Sequence, residues 1–152
     1  MDIQSKAREL AKSIEIVMSQ ARCADKKSAR LCESISQQEV RVLLILGRGG
    51  PTSMCEIADA VGLSMSSVTG LVDKLEEKKL VRRERSTDDR RIVRVELTEP
   101  GRETHTVAME GQIEFARGLL EALAASEQED LLALFRKLAA KLSRKESQKA
   151  GV

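Results

Sequence analysis

A run of small hydroxyl side chains follows Gly62, and a cluster of arginines lies further along the chain. The hydroxyls belong to Ser64, Ser66, Ser67 and Thr69. No acidic residue interrupts this run before Asp73, and between Arg82 and Arg94 six arginines stand against three acids, a local charge of +3. Hydroxyls can bond to base edges or phosphates, and arginine suits phosphates and narrow minor grooves. Together these two clusters predict binding to double-stranded DNA.

The hydroxyl run lies in a segment with the pattern of two helices joined by a tight turn. Ser53 and Glu56 form a capping-box signature at the start of the first helix, and Gly62 ends it because glycine adopts the left-handed conformation at low cost. Ser64 is the predicted N-cap of the second helix. The buried stripe of that helix consists of Val68, Leu71, Val72 and Leu75. The opposite face carries Ser66, Gly70 and Asp73. The second helix therefore has the small, polar outer face of a recognition helix that enters a DNA groove.

The arginine cluster belongs to a predicted β-hairpin. Two β-prone segments, Leu80 to Arg85 and Ile92 to Leu97, flank the polar, turn-prone loop 86–91. A hairpin with arginines at its tip, directly after a helix-turn-helix, is typical of a winged helix whose wing reaches phosphates or the minor groove. For the hairpin considered by itself, an ordinary solvated hairpin is the alternative.

These segments also resemble a known family. The run LSMSSVTGLVDKLEEKKLVRRERSTDDRRIVRVELTEPGRE, which starts at Leu63, resembles the winged-helix signature of the multiple-antibiotic-resistance regulators, the MarR family. Its most specific parts are VDKLE at 72–76, DRR at 89–91 and LTEPG at 97–101. The resemblance covers residues 36–104 closely and the flanking helices in pattern only. It implies an obligate homodimer that represses genes and is often released by a small ligand or by oxidation.

The resemblance also implies roles for the wing. In that family the wing-tip Asp and Arg pair and the Arg enters the minor groove, and Asp89 and Arg91 occupy these positions. Two positions depart from the pattern, because Lys79 replaces a usual Gly and Gly70 replaces a larger polar residue, often Arg. We therefore expect few direct contacts to bases from the centre of the recognition helix. The predicted DNA-binding residues are Ser64, Ser66, Ser67, Thr69, Gly70, Lys74, Arg85, Asp89, Arg90 and Arg91.

Both ends of the chain have the pattern of long amphipathic helices. A heptad-like seam on residues 2–22 contains Ile3, Ala7, Leu10, Ile14, Val17 and Ala21. The final helix carries Leu131, Leu134, Phe135, Leu138 and Leu142. Because no neighbouring segment covers the first seam, we expect the terminal helices of two copies to wrap each other in a C2 homodimer, with an interface above ~2,000 Å². The predicted dimerisation residues are Ile3, Leu10, Ile14, Val17, Leu134, Leu138 and Leu142.

The remaining segments complete the predicted architecture. Residues 23–35 are polar and predict a helix end or connection. Capping boxes are predicted at Ser36 with Glu39 and at Ser126 with Glu129, and Thr98 is the predicted cap of a long helix. The expected fold class is mainly α with a small antiparallel β-hairpin wing. A winged helix-turn-helix domain (36–98) lies between an N-terminal dimerisation helix with its connection (1–35) and C-terminal dimerisation helices (99–152).

Composition narrows the function classes. Apolar residues make up 41% and charged residues 33% of the 152 positions, which is typical of a soluble, helix-rich protein. The net charge of +2 is too small to indicate nucleic acid by itself. No apolar run approaches the ~20 residues of a membrane span. No signal peptide is recognised, so we expect a cytoplasmic protein with no membrane partner.

The cysteines and the single histidine give little support for a reactive or metal site. None of the three cysteines forms a Cys-x-x-Cys motif, so small buried free thiols are the default. The functional alternative is redox sensing by Cys23, whose neighbours Arg22, Lys26 and Lys27 could lower its thiol pKa. Some members of the resembled family respond to peroxide through a cysteine. Those sensors also use tyrosines near the thiol, and this chain has no tyrosine. His105 has no second histidine to share a metal and is expected on a helix surface.

The sequence thus predicts a dimeric DNA-binding repressor without cofactor, metal or catalytic activity. Its partners are expected to be a pseudo-palindromic operator, a second copy of the chain and a small organic effector. The effector pocket is expected between the dimer helices and the winged domain, with an aliphatic wall because aromatics are so few. The alternatives are a thiol-based redox-sensing repressor and a winged helix used for protein docking. The docking role is disfavoured because it would not require a basic wing.

Overall fold

The computed structural model describes residues 2–21 and 26–149 and divides into two compact units, Met1–Glu114 and Phe115–Val152. In chain order the elements are α1 (Ile3–Ala21), α2 (Lys26–Ser34), α3 (Gln37–Gly49), β1 (Thr52–Ser53), α4 (Met54–Val61), α5 (Met65–Glu77), β2 (Val81–Arg85), β3 (Val93–Leu97), α6 (Glu99–Glu121) and α7 (Ala125–Lys149). The predicted fold class, mainly α with a small antiparallel wing, is confirmed.

The core of the first unit lies where α3, α4 and α5 pack together with the sheet. The predicted stripe of α5 is confirmed, because its four apolar residues are all buried. Around it the core cluster contains Ile35, Val42, Leu43, Leu46, Ile57, Ala58, Val61, Leu80, Val81, Val95 and Leu97. With one side of α5 fixed in this core, its polar side is left facing outward.

The sheet has three antiparallel strands in the order β1-β3-β2. The predicted hairpin is present, with Val81 opposite Leu97 and Arg85 opposite Val93. Strand β1 was not predicted, and it adds Thr52 to the other edge of β3. Two residues are too few to show an alternating pattern, so only the packing of the chain reveals this strand.

Helix α2 corrects the prediction of a polar helix end or connection at 23–35, of which residues 23–25 lie outside the described part of the chain. Leu31 and Ile35 are spaced one helical turn apart and both pack against the core. The Ile35 N–H donates to the Leu31 carbonyl at 3.0 Å. Two apolar positions give too weak a periodic signal, and the helix is decided by its contact with the core.

The capping box at the start of α4 is confirmed in full. Glu56 N–H donates to the Ser53 hydroxyl at 3.2 Å, and Ser53 N–H donates to the Glu56 carboxylate at 2.9 Å. The hydrogen bond from the Ser53 backbone lowers the pKa of Glu56 below its ordinary value. Gly62 then ends α4 in the left-handed conformation with φ 69°, as predicted.

The other two predicted capping boxes need correction. At α3 the Ser36 hydroxyl accepts from Glu39 N–H at 3.2 Å, but the Glu39 carboxylate, 3% exposed as a residue, pairs with Lys78 at 2.5 Å instead of returning to the cap. Helix α7 begins before the predicted cap at Ser126. There the Ala124 N–H donates to the Glu127 carboxylate at 2.8 Å. At α3 the predicted capping carboxylate is thus taken by a distant lysine. At α7 a different glutamate, two residues earlier, takes the capping role.

Thr98 joins the sheet to α6, as its predicted capping role requires. Its hydroxyl donates to the Lys79 carbonyl at 2.6 Å and accepts from Gly101 N–H at 3.1 Å, and its own N–H donates to the Leu80 carbonyl at 3.0 Å. A Cβ on Gly101 would lie 1.9 Å from the Leu80 carbonyl oxygen. Lys79 itself has φ 60°, a conformation that favours glycine, which is the residue expected there from the family pattern. This junction therefore depends on a close backbone approach.

His105 lies on α6 but is half-buried, which corrects in part the prediction of a surface histidine. Its Nε2 atom is buried and has no hydrogen-bond partner among the described residues. The ring packs against Gly47, where a Cβ would lie 2.1 Å from Nε2. The absence of a side chain at Gly47 lets α6 place the ring there. In the described part of the chain, no group of three potential metal ligands occurs.

The terminal helices present apolar faces to solvent. In α1, Ile3 is 78%, Leu10 61% and Ile14 52% exposed. In α7 the large apolar residues that are exposed are Leu134, Phe135, Leu138 and Leu142. Among the described residues, no single helix is long and apolar enough to cross a bilayer; α4 and α5 pass such a test only as a pair, and that pair is bent by 107°.

Candidate nucleic-acid interface

Helix α5 presents a continuous polar face. The predicted contact residues of this element are all exposed: Ser64, Ser66, Ser67, Thr69, Gly70 and Lys74. A Cβ on Gly70 would meet no other atom within 4 Å, so the middle of this face is open space. The small side chains around Gly70 permit close approach of this part of the helix to a DNA groove.

Several hydroxyls of this face are already engaged. The Ser64 hydroxyl accepts from Ser67 N–H at 3.2 Å, which caps α5, and donates to the Ser67 hydroxyl at 2.9 Å. The Thr69 hydroxyl donates to the Met65 carbonyl at 2.8 Å. These oxygens keep acceptor capacity, but their protons are used within the helix. The Ser64 and Thr69 hydroxyls are therefore not free to donate to acceptor atoms of the bases.

The wing tip is a tight, internally bonded turn. Ser86 N–H donates to the Ile92 carbonyl at 2.9 Å, and Ile92 N–H donates to the Asp89 carbonyl at 3.0 Å. The Asp89 carboxylate accepts from the main-chain N–H of Arg91 at 3.0 Å. In the described structure Asp89 thus contacts Arg91 through the main chain, whereas the family resemblance implied a pair between the Asp and Arg residues. Asp89 orients the backbone that carries the Arg91 side chain.

The arginines of the wing fall into two groups. Arg82 pairs with Glu96 and, at 3.4 Å, with Glu84. Arg83 pairs with Asp73 at 2.5 Å and with Glu76 at 3.3 Å. The other four wing arginines form no ion pair with the described residues, and all four are exposed. They are Arg85, Arg90, Arg91 and Arg94. The available positive charge is therefore concentrated toward the tip of the hairpin.

Sequence reasoning did not find the pairing of Arg83 with α5. Its partners precede it by seven and ten positions, which matches neither a helix nor a strand period. The contact exists because β2 folds back along α5. The signal that could have suggested it is the surplus of acids in the second half of α5, with consecutive arginines at Arg82 and Arg83 shortly after the helix ends.

The described structure gives the side-chain environment of one of the three cysteines, Cys55. Cys23, the predicted redox residue, lies outside the described residues. Cys32 belongs to α2, and Cys55 is an exposed free thiol near the start of α4. Nothing in these positions adds support for thiol sensing.

Comparison with known proteins agrees with this geometry. Residues 35–93 match the model of the MarR family. The chain is 33% identical over 108 residues to YpoP of Bacillus subtilis (strain 168), an uncharacterized HTH-type transcriptional regulator, with 71% of this chain and 77% of YpoP covered.

Two solved structures share the fold. Streptococcus pneumoniae FabT, crystallised in complex with DNA, has a TM-score of 0.75 at 20% identity, covering 94% of this chain and 99% of FabT. Bordetella bronchiseptica BpsR, whose DNA binding is regulated by 6-hydroxynicotinic acid, has a TM-score of 0.64 at 18% identity, covering 86% of this chain and 98% of BpsR. With the winged helix-turn-helix geometry and the match to YpoP, the chain belongs to the MarR family of DNA-binding, HTH-type transcriptional regulators.

Proposed function

We propose that this protein is a homodimeric repressor that binds a pseudo-palindromic operator and leaves it when a small organic effector binds. Helix α5 enters the major groove, and the wing places Arg91 in the adjacent minor groove. The observation that carries this proposal is the set of exposed wing arginines that have no ion pair among the described residues. They belong to a hairpin whose strand β2 is bonded through Arg83 to α5, the helix with the open polar face. FabT, which shares this fold, was crystallised in complex with DNA, and this supports DNA binding by the present chain.

The wing supplies more of the affinity than the centre of α5 does. Gly70 offers no side chain to a base, and the Thr69 proton is bonded within the helix. By contrast, the Arg91 guanidinium is exposed, and its backbone is held by Asp89. A minor groove narrowed by A·T-rich sequence carries enhanced negative potential and attracts such a group.

Dimerisation follows from the exposed apolar faces of α1 and α7. Singly exposed apolar residues are common on monomers, but repeated exposure along one helix marks an interaction surface. A second copy is the partner with a matching face, because a C2 interface pairs each patch with itself. Two α5 helices must then lie roughly 34 Å apart to reach half-sites one helical turn apart.

Release by a small organic molecule is supported by the regulation of BpsR, which shares the fold. The first unit has a cleft of about 320 Å³ near His105, but its lining includes Glu96, Arg102 and Thr106 and is not the aliphatic wall expected for the effector pocket. The cleft therefore does not identify the effector. Release by oxidation is the second candidate, and its support is limited to the pattern of cysteines in the sequence.

Thiol chemistry and ligand binding can be separated directly. We expect hydrogen peroxide to leave the operator affinity of the purified protein unchanged. A variant with all three cysteines replaced by alanine should keep its full response in cells, measured with an operator-controlled reporter. Loss of DNA binding on oxidation, prevented in the cysteine-free variant, would instead establish the thiol route.

Arg91→Ala should weaken operator binding by ~1–3 kcal/mol, because a good specific contact is lost. It should also reduce the slope of log affinity against log salt by about one unit per wing, if each Arg91 neutralises one phosphate. An operator selected from random DNA, titrated at several salt concentrations, measures both quantities. Arg48→Ala is the control, because Arg48 is an exposed arginine of α3 outside both DNA-binding elements.

Asp89→Ala should cause part of the same loss while leaving the salt slope near that of the wild type. The substitution removes the acceptor that holds the Arg91 backbone but leaves the guanidinium in place. The wing-dominated mode is wrong if Arg91→Ala binds like the wild type while Thr69→Ala abolishes binding.

A further inference from the structure

Arg83 differs from the wing-tip arginines in where its side chain lies. Its Nη2 donates to the Asp73 carboxylate at 2.5 Å, and its Nη1 donates to the Glu76 carboxylate at 3.3 Å. Its backbone N–H also donates to Glu76 at 3.2 Å. Both the side chain and the main chain of this β2 residue are therefore bonded to the recognition helix.

The partners of Arg83 lie on one flank of α5. Nη2 is also 3.5 Å from the Thr69 carbonyl oxygen, and Thr69, Asp73 and Glu76 are spaced by four and three residues. Residues at this spacing lie on the same side of a helix. A single guanidinium thus spans two turns of α5, and the planar fork of arginine suits such multiple contacts. The Arg83 side chain is 26% exposed, compared with 60% for Arg82.

The contact also pairs the first negative charge of α5 with a positive one. Asp73 is the first acid of this helix, and its side chain remains 54% exposed. Its carboxylate is paired with the Arg83 guanidinium, which is therefore no longer available as a free phosphate ligand.

We infer that Arg83 is a positioning residue for operator binding and does not itself contact DNA. The clamp, formed by Arg83, Asp73 and Glu76, fixes β2 against α5. It thereby sets the distance between the helix in the major groove and the Arg91 side chain that the hairpin carries toward the minor groove. This inference rests on the proposed DNA-binding mode. It assigns to Arg83 the role of aligning the wing with the recognition helix α5.

Replacement of Arg83 separates positioning from direct contact. Arg83→Ala should lower operator affinity roughly tenfold, within the range of coupling in salt-bridge networks, and lower binding to random-sequence DNA much less. The salt slope should stay near the wild-type value, unlike that of Arg91→Ala. Arg83→Lys, which keeps the charge but not the planar fork, should retain only part of the operator preference.

A double-mutant cycle tests the clamp itself. The double variant Asp73→Asn with Glu76→Gln frees Arg83, and we expect it to lose operator preference over random DNA about as Arg83→Ala does. Adding Arg83→Ala to that variant should cause no further loss of preference. If Arg83 bound DNA directly, freeing it would keep or improve operator binding, and its removal would then cost affinity in full.

Footprinting separates misplacement of the wing from loss of folding. On a complex of Arg83→Ala formed at saturating protein, hydroxyl-radical protection in the minor groove should weaken while guanine N7 protection in the major groove persists. Equal loss of both protections, or a salt slope reduced as in Arg91→Ala, would overturn the positioning role. If the wild type shows no operator preference at all, the proposed function itself fails, which is a different result from failure of the clamp.

Discussion

Glutamate substitutions at both Leu10 and Ile14 are expected to convert the protein into a monomer, or unfold it, and to abolish operator binding. These side chains are 61% and 52% exposed in the single chain, on the seam that we propose a second copy covers. An obligate interface resembles a core cut in half, so two unpaired carboxylates there would cost more than the interface can tolerate. Sedimentation at micromolar concentration and DNA titration measure the two effects.

The matched control places the same residue type on the other side of α1. Ser5→Glu with Lys12→Glu adds two carboxylates on the face opposite the seam, because positions five residues from Leu10 and two from Ile14 project away from it. This control should remain dimeric and bind DNA. A wild-type chain that sediments as a monomer at micromolar concentration would contradict the proposed dimer.

Gly101→Ala is expected to destabilise the folded protein by about 3 kcal/mol, at the upper end of typical overpacking costs. The added Cβ would lie 1.9 Å from the Leu80 carbonyl oxygen, and that atom belongs to the backbone. A flexible side chain could turn away, but here α6 must shift relative to the turn after α5. Denaturant unfolding at a fixed protein concentration gives the change, with a fall in Tm of roughly 10 °C expected for a chain of this size.

Gly70→Ala is the control for this prediction. It is also a glycine within a helix, but its added Cβ would meet nothing within 4 Å. Since alanine is favoured over glycine in a helix interior by about 1 kcal/mol, this variant should be at least as stable as the wild type. If both variants shift stability in the same direction, the close approach at Gly101 does not govern the junction.

The sequence alone determined those features whose signals are local. The stripe from Val68 to Leu75 repeats with the helix period, so it predicted which side of α5 is buried. The capping box of Ser53 with Glu56 and the left-handed Gly62 depend on residues within one turn of each other, and both appear as predicted. The MarR-type motifs of the wing belong to the same class, because a hairpin is built from adjacent segments.

Tertiary structure decided the partners that lie far apart in the chain. Glu39 had a local cap available, yet its carboxylate binds Lys78, and Arg83 returns to Asp73 and Glu76 instead of remaining a free wing charge. His105 was predicted on a surface, but its ring lies against the bare backbone of Gly47. Periodicity and capping signals report which conformation a segment prefers. They do not report which element will lie beside it, and the choice of ion pair or close contact depends on that neighbour.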